Sequence, residues 1–544
     1  MSVRNAIVLL VALSALTFLA ACGSGNSVTK ATPPPTGGFS NSNLNGTYVF
    51  SVSGTDANGA PYAIVGTFTA NGAGGNGKGG ITGGTIDIND PSSFLVANAP
   101  ISSSSSYSIG VDGRGTASLG TGSATPWGTI VFDFVLQDNT HGLITQFDAN
   151  ATSSGTFDLQ SAGTTPAGSY AFSFSGADAS TDDPLATVGN FTIGAAGAIT
   201  GLEDFNDGGF AYPDENLVGT VVLGPSSTPA TSLVTSHFPS PGQTFDVFAI
   251  DASHLKFIEM DTLGTLSGDA FSQSSPTVPT GTLAFTLAGF SPGLTSPAAF
   301  GGFMVTDGAG DITNASTYDA NVDGTPSPQP VTFSAAYTAA GTGRYTIAFS
   351  AFAGGTNYVA YPSSGGLLLL DLDGTGAIET GAAYPPQTAG ATFAASEGYA
   401  LNLSGDNLTN SAEVDDIAEF TANSSGTTVT GVIDENSEPN GGTNYGLALS
   451  GTYAAPDTNG RGAIAATAGT SSHTTLNGGF GLTFYTVDGT TFPFIETDTG
   501  GQVATGVLVE QNSATGSAAA VAKSHAMFVP RPLIRPHAAH QQQK

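Results

Sequence analysis

Beyond residue 43 the chain reads as short runs in which apolar and polar residues alternate. The runs are rich in Phe, Tyr, Val, Ile and Thr and end in Gly, Asn or Asp. A period of two puts one set of side chains on one face of a strand, and the closing residues are turn formers. In the first block the pattern predicts strands at 47–53, 62–70, 80–88, 106–111, 114–120, 128–136, 141–148 and 154–160. Eight strands joined by short turns make an antiparallel barrel or sandwich. Closure removes sheet edges, which favours a small up-and-down barrel, with a sandwich as the alternative. No segment after the first 22 residues combines a 3.6-residue period with helix caps.

The block recurs. Segments opening at Tyr48, Tyr170, Leu283 and Tyr399 read YVFSVSG, YAFSFSG, LAFTLAG and YALNLSG, spaced 122, 113 and 116 residues apart. A second strand ends in Phe68, Phe191, Phe303 and Phe420. A third ends in Asp-x-Asn: Asp87/Asn89, Asp204/Asn206, Asp319/Asn321 and Asp434/Asn436. Repeats 1, 3 and 4 carry a Tyr followed by Gly-Arg: Tyr107 with Gly113-Arg114, Tyr337 with Gly343-Arg344, Tyr453 with Gly460-Arg461. Repeat 2 lacks this element. An acid follows a late strand (Asp148, Asp261, Asp373, Asp498), and each unit closes on Gln160, Gln273, Gln387 or Gln511. The expected fold class is all-β, with four tandem antiparallel β modules of ~115 residues at 44–161, 162–275, 276–390 and 391–511. The Gly-x-Tyr of the first strand is similar to the Gly-x-Trp opening of lipocalin-like barrels, a resemblance that implies a barrel.

The N-terminus is of another kind. Arg4 precedes an apolar run from Ala6 to Ala21, which reads as a secretory signal at 1–21. The ending Leu19-Ala20-Ala21-Cys22 resembles the lipobox of bacterial lipoproteins, and Cys22 is the only cysteine. The resemblance implies cleavage before Cys22 and acylation of that residue, hence a membrane partner through the lipid anchor. Gly23 stands where an Asp would retain such a protein in the inner membrane, which favours the outer membrane; the face occupied stays open. Residues 22–43, rich in Ser, Thr, Gly and Pro, read as a lipidated tether. Residues 512–544 hold Lys523, Arg531, Arg535 and Lys544 and are expected to form a basic, disordered tail.

Charge narrows the chemistry. Acids outnumber bases 42 to 11, for a net charge of −31, which speaks against a nucleic-acid partner. Gly72 to Gly77 matches G-x-G-x-x-G and Gly72 to Lys78 most of a nucleotide-binding loop, but the following residues read as a strand, so nucleotide is not expected. Gly289-Phe-Ser291-Pro-Gly293 matches a nucleophile elbow without the helix that chemistry requires. His141, His237, His254 and His473 sit at unmatched places, which gives zinc or Cys–His chemistry no support. Glu259/Asp261, Asp371/Asp373 and Glu496/Asp498 place paired acids on one strand face, yet recurrence in three repeats points to structure rather than glycoside hydrolysis. Arg114, Arg344 and Arg461 are three of only five bases in the repeats, beside Lys78 and Lys256. Each Arg is expected to be held by a repeat acid, closing one barrel end. No cofactor is expected; Asp319, Asn321 and Asp323 are the calcium candidates, although Pro330 excludes an EF-hand. The leading functional expectation is a lipid-anchored cell-envelope protein with a non-enzymatic structural or interaction role toward a surface glycan or protein. The alternatives are small-molecule or lipid binding inside the barrels, and an envelope hydrolase.

Overall fold

The computed structural model describes residues 38–75, 77–161, 166–222, 234–235, 242–388, 397–409, 411–423, 427–437, 442–468, 480–499 and 501–513. Cys22, the signal, His237, His473 and the basic tail from 514 onward lie outside the described residues.

Repeat 1 forms β1 (Asn45–Asp56), β2 (Pro61–Gly75), β3 (Lys78–Asp90), β4 (Phe94–Pro100), β5 (Ser106–Ile109), β6 (Arg114–Gly120), β7 (Thr129–Leu136), β8 (His141–Asp148) and β9 (Ala151–Leu159). All pairings are antiparallel. β9 returns to β1, and β2 pairs with β3, so the sheet closes on itself. β4 and β5 lie end to end along one edge of β3 and together fill a single place, giving a barrel of eight positions. Repeat 3 (Gly281–Phe290 through Ile378–Ala383) and repeat 4 (Gly398–Asn407 through Gln502–Glu510) close in the same way. In repeat 2 the described strands form an open sheet whose edges are Phe210–Thr220 and the two-residue strand Val234–Thr235. Residues 223–233, between those two edges, lie outside the described residues. The tandem small barrels expected from the alternation are thus present, and the sandwich is not.

Alternation decides what each side chain meets. In β1, Tyr48, Phe50 and Val52 point into a core with Phe68, Phe132, Phe134 and Phe157, while Val49 packs outward. Phe157 is ringed by Tyr48, Phe68 and Phe134 at centroid distances of 5.6–5.9 Å. The residual cavity at the centre of barrel 1 is about 10 Å³, room for at most a single water. Barrels 2, 3 and 4 are likewise filled by large apolar side chains. The Gly that ends each first-strand motif meets a hard limit. A Cβ at Gly54, Gly176, Gly289 or Gly405 would stand 2.0, 2.5, 1.9 or 2.2 Å from a carbonyl oxygen in the last strand or, for Gly176, just before it. One alignment made from sequence shifts by a residue: Met304, not Phe303, takes the inward place of Phe68, and Phe303 faces out.

Truncating a ring in so full a core leaves a cavity that rigid strands cannot collapse. Phe157→Ala should lower the stability of the chain by about 3–5 kcal/mol, read as a shift in the denaturant midpoint of repeat 1.

Candidate functional site

The residues that mark each repeat meet at the boundaries between barrels. Asn89 donates both amide hydrogens to the carbonyls of Glu259 and Gly264 in barrel 2, each at 2.8 Å. Asn206 does the same to Asp371 and Ala377 in barrel 3, and Asn321 to Glu496 and Gln502 in barrel 4. Asn436 of barrel 4 then reaches Gln146 and Ala151 of barrel 1, at 2.7 and 2.9 Å. The closing glutamines repeat the pattern at the other barrel end. Gln160 binds Ala249, Gln273 binds Gly343 and Pro362, Gln387 binds Asn459 and Thr486, and Gln511 binds Asp112 and Leu136. Like ends meet like ends, so the barrels stand side by side the same way up. The order 1–2–3–4–1 closes a ring. A carboxamide fits this post because it carries two N–H donors on one planar group.

The arginines reinforce three of the four seams. Arg344 makes a two-pronged bond to Asp204 of barrel 2, and Arg461 binds Asp319 of barrel 3 at 2.8 and 2.9 Å. Arg114 joins Asp112 at 3.0 Å and Asp434 of barrel 4 at 3.3 Å. Tyr361 and Tyr485 add hydroxyl donors to Asp204 and Asp319. Each Arg is therefore held by an acid of the Asp-x-Asn series in a neighbouring repeat, and it joins barrels instead of closing one. The preceding glycine adopts φ of +82°, +70° or +94° at Gly113, Gly343 and Gly460, where a Cβ would strike the neighbour's closing Gln.

The other acid series has a different post. Asp148, Asp261, Asp373 and Asp498 each accept the backbone N–H of the residue 17 positions earlier: Val131, Thr244, Thr356 and Gly481. These acids fasten a strand start within their own repeat and do not touch the arginines. Their inward neighbours Glu259, Asp371 and Glu496 are buried at a barrel end, where Gln146 stands in repeat 1. Burial first, then the adjacent acid, pushes Asp371 up to about 7 and Glu259 and Glu496 well above the carboxylate range. A protonated carboxyl is the electrical equal of that Gln, which fits a structural post.

Seam 1–2 lacks an Arg. Opposite Asp87 stands Asp246, and burial, followed by the Asp246 charge, lifts Asp87 to about 8. The same seam holds a polar group that the sequence pattern did not reveal. Lys256, 1% exposed, lies 3.1 Å from Asp269 and 3.7 Å from Asp158. His141 binds Asp158 at 2.6 Å and His254 binds Asp269 at 2.8 Å. Burial works against the Asp158 charge, but His141 and Lys256 outweigh it and hold the group at about 2. Scattered histidines and a lone Lys carry no periodic signal, so only the fold brings them together.

The calcium candidates do not converge. Asp319 is engaged by Arg461 and Tyr485, Asn321 by two carbonyls, and Asp323 occupies a turn with φ of +54°. Among the described residues no three His, Cys, Asp or Glu side chains form a ready metal set. Gly72–Gly77 lies at the hairpin joining β2 to β3, and Ser291 caps a single short 3₁₀ turn between strands.

Removing Arg344 would leave Asp204 buried without its counter-ion. Arg344→Ala should cost about 3–5 kcal/mol in thermal or denaturant unfolding, and Arg344→Lys should recover part of it. Proton linkage gives a second expectation. Asp87, Asp371 and Asp406 hold protons in the folded chain that an unfolded chain releases near pH 4. Their contribution is complete below that value and is lost as pH rises through about 7 to 8. Asp158 opposes this only in stronger acid. Calorimetry should therefore find a higher melting midpoint at about pH 5 than at about pH 8.

No family model matches the chain, and no curated protein matches it. Partial similarity to solved structures includes transferrin-binding protein B from Haemophilus parasuis Hp5, at 9% identity over 68% of this chain and 83% of that one, TM-score 0.18. Kievitone hydratase from Nectria haematococca aligns at 11% identity over 64% and 90%, TM-score 0.18. Isotype 1 transferrin-binding protein B from serogroup B Neisseria meningitidis aligns at 9% over 69% and 82%, TM-score 0.20. TM-scores of this size carry no argument about function.

Proposed function

We propose that the chain is a lipid-anchored protein of the cell envelope, held at Cys22 in the outer membrane, whose four-barrel ring has a non-enzymatic structural or interaction role. One observation carries the reading: the Asn, Gln and Arg side chains that recur from repeat to repeat, with Asp204, Asp319 and Asp434, are engaged in joining the barrels. They are not gathered around a cleft. The filled cores of the barrels weigh against a ligand held inside them. The ring also suits an anchor. Phe39 is bound to Val111 and Asn43 to Ser513, so both described chain ends lie together on seam 4–1. Cys22 lies 16 residues before Gly38. An anchored ring would present its far turns, which carry Asp178, Asp182 and Asp183, to an external glycan or protein.

Cells expressing the chain should incorporate labelled palmitate into it, and the protein should sediment with outer membranes. Cys22→Ser should abolish both while leaving the melting of the ring unchanged. Label retained by Cys22→Ser would refute the anchor.

A further inference from the structure

The four seams differ at one register. In barrels 1, 2 and 3 the second strand faces its neighbour with Pro and Ala: Pro61 and Ala63, Pro184 and Ala186, Pro297 and Ala299. In barrel 4 the same two places are Glu413, opposite Asp406, and Asp415, opposite Ser404. This face of barrel 4 lies against β7, β8 and β9 of barrel 1, across the one seam that no linker spans. Two apolar posts have become carboxyls only where the ring must close without a covalent connection.

The carboxyls are deep. Glu413 is 3% exposed and Asp415 fully buried. Neither forms an ion pair among the described residues, and none of their four oxygens accepts a well-formed hydrogen bond. Their surroundings are oxygen. Thr55 lies beside Glu413, Ser404 and Ser154 lie beside Asp415, and the two carboxyls face each other. Ser154 reaches across the seam to Asn402 at 3.3 Å. Thr145, the cross-strand partner of Ser154, has a buried hydroxyl without a partner, as does Ser404.

Two adjacent carboxylates cannot both ionise in a buried site without a cation. A mixed set of carboxylate and hydroxyl oxygens, with no sulfur or imidazole, suits a hard ion of flexible coordination, and Mg²⁺ is more demanding in geometry than Ca²⁺. We propose that Glu413 and Asp415, with the hydroxyls of Thr55, Ser154 and Ser404, form a Ca²⁺ site that clamps barrel 4 to barrel 1. The ion takes ligands from both sides of the closing seam, so its binding energy is ring-closing energy.

The test is a calorimetric titration of the chelator-treated full chain with CaCl₂, paired with melting curves. One saturable site and a rise of several degrees in the midpoint are expected at neutral pH. Glu413→Gln with Asp415→Asn keeps the shapes and removes the charges; it should stay folded and lose both the heat and the shift. Ser154→Ala should weaken Ca²⁺ binding several-fold without changing charge, and it decides the matter if the double variant does not fold. Absence of heat and shift in the wild type would overturn the proposal, as would full Ca²⁺ binding by the double variant or by Ser154→Ala. An equal response to MgCl₂ would overturn the assignment to Ca²⁺.

Discussion

Everything in this ring depends on one carboxamide used four times. Asn89, Asn206, Asn321 and Asn436 each span two backbone carbonyls of the next barrel. Each amide supplies hydrogen bonds to carbonyls at the barrel boundary, where a buried carbonyl left unpaired would be costly. A head-to-tail contact propagates without limit unless its rotation closes. Four steps close it here, so the fourth interface is formed by the same groups as the other three. The arginine and glutamine contacts then hold a geometry that the asparagines define.

A ring of side-by-side barrels buries strands on both faces. That single constraint accounts for the composition. Outward positions that would carry Lys and Glu on a solitary barrel are instead Val49, Val65, Ala171, Val188 and Ala400, packed against a neighbour. Among the acids in this interior, Asp204, Asp319 and Asp434 meet an Arg, Asp158 and Asp269 meet Lys256 and a His, and Asp87 and Asp371 keep a proton. The scarcity of bases follows: each Arg has a fixed partner, and one buried Lys balances two Asp at seam 1–2.

Much of this was legible in the alternation. Eight of the nine strands in the first unit and the fourfold recurrence follow from period-two runs and turn residues; β4, which shares one place with β5, was not among them. The marker residues were visible too, because Asp-x-Asn, Gly-Arg and Gln recur at fixed places. Their partners were not. Spacing near 115 residues cannot distinguish a bond within a repeat from the equivalent bond to the next one, since both look identical in a tandem sequence. Arg461 therefore reads as a lock on its own barrel until the fold shows it on Asp319. The exchange of Pro and Ala for Glu413 and Asp415 is present in the sequence, but it gains meaning only once that face is known to lie on the unlinked seam.

The meeting of the chain ends at seam 4–1 has a mechanical consequence. Phe39 enters barrel 1 beside Ser513, where barrel 4 ends. Tension drawn through residues before Gly38 enters barrel 1 next to the joint that no peptide backs up. The other three joints are bridged by the chain and share the load. A pull on the chain ends would therefore load seam 4–1 as the clasp of a bracelet, the one joint where non-covalent contacts alone resist separation of the barrels.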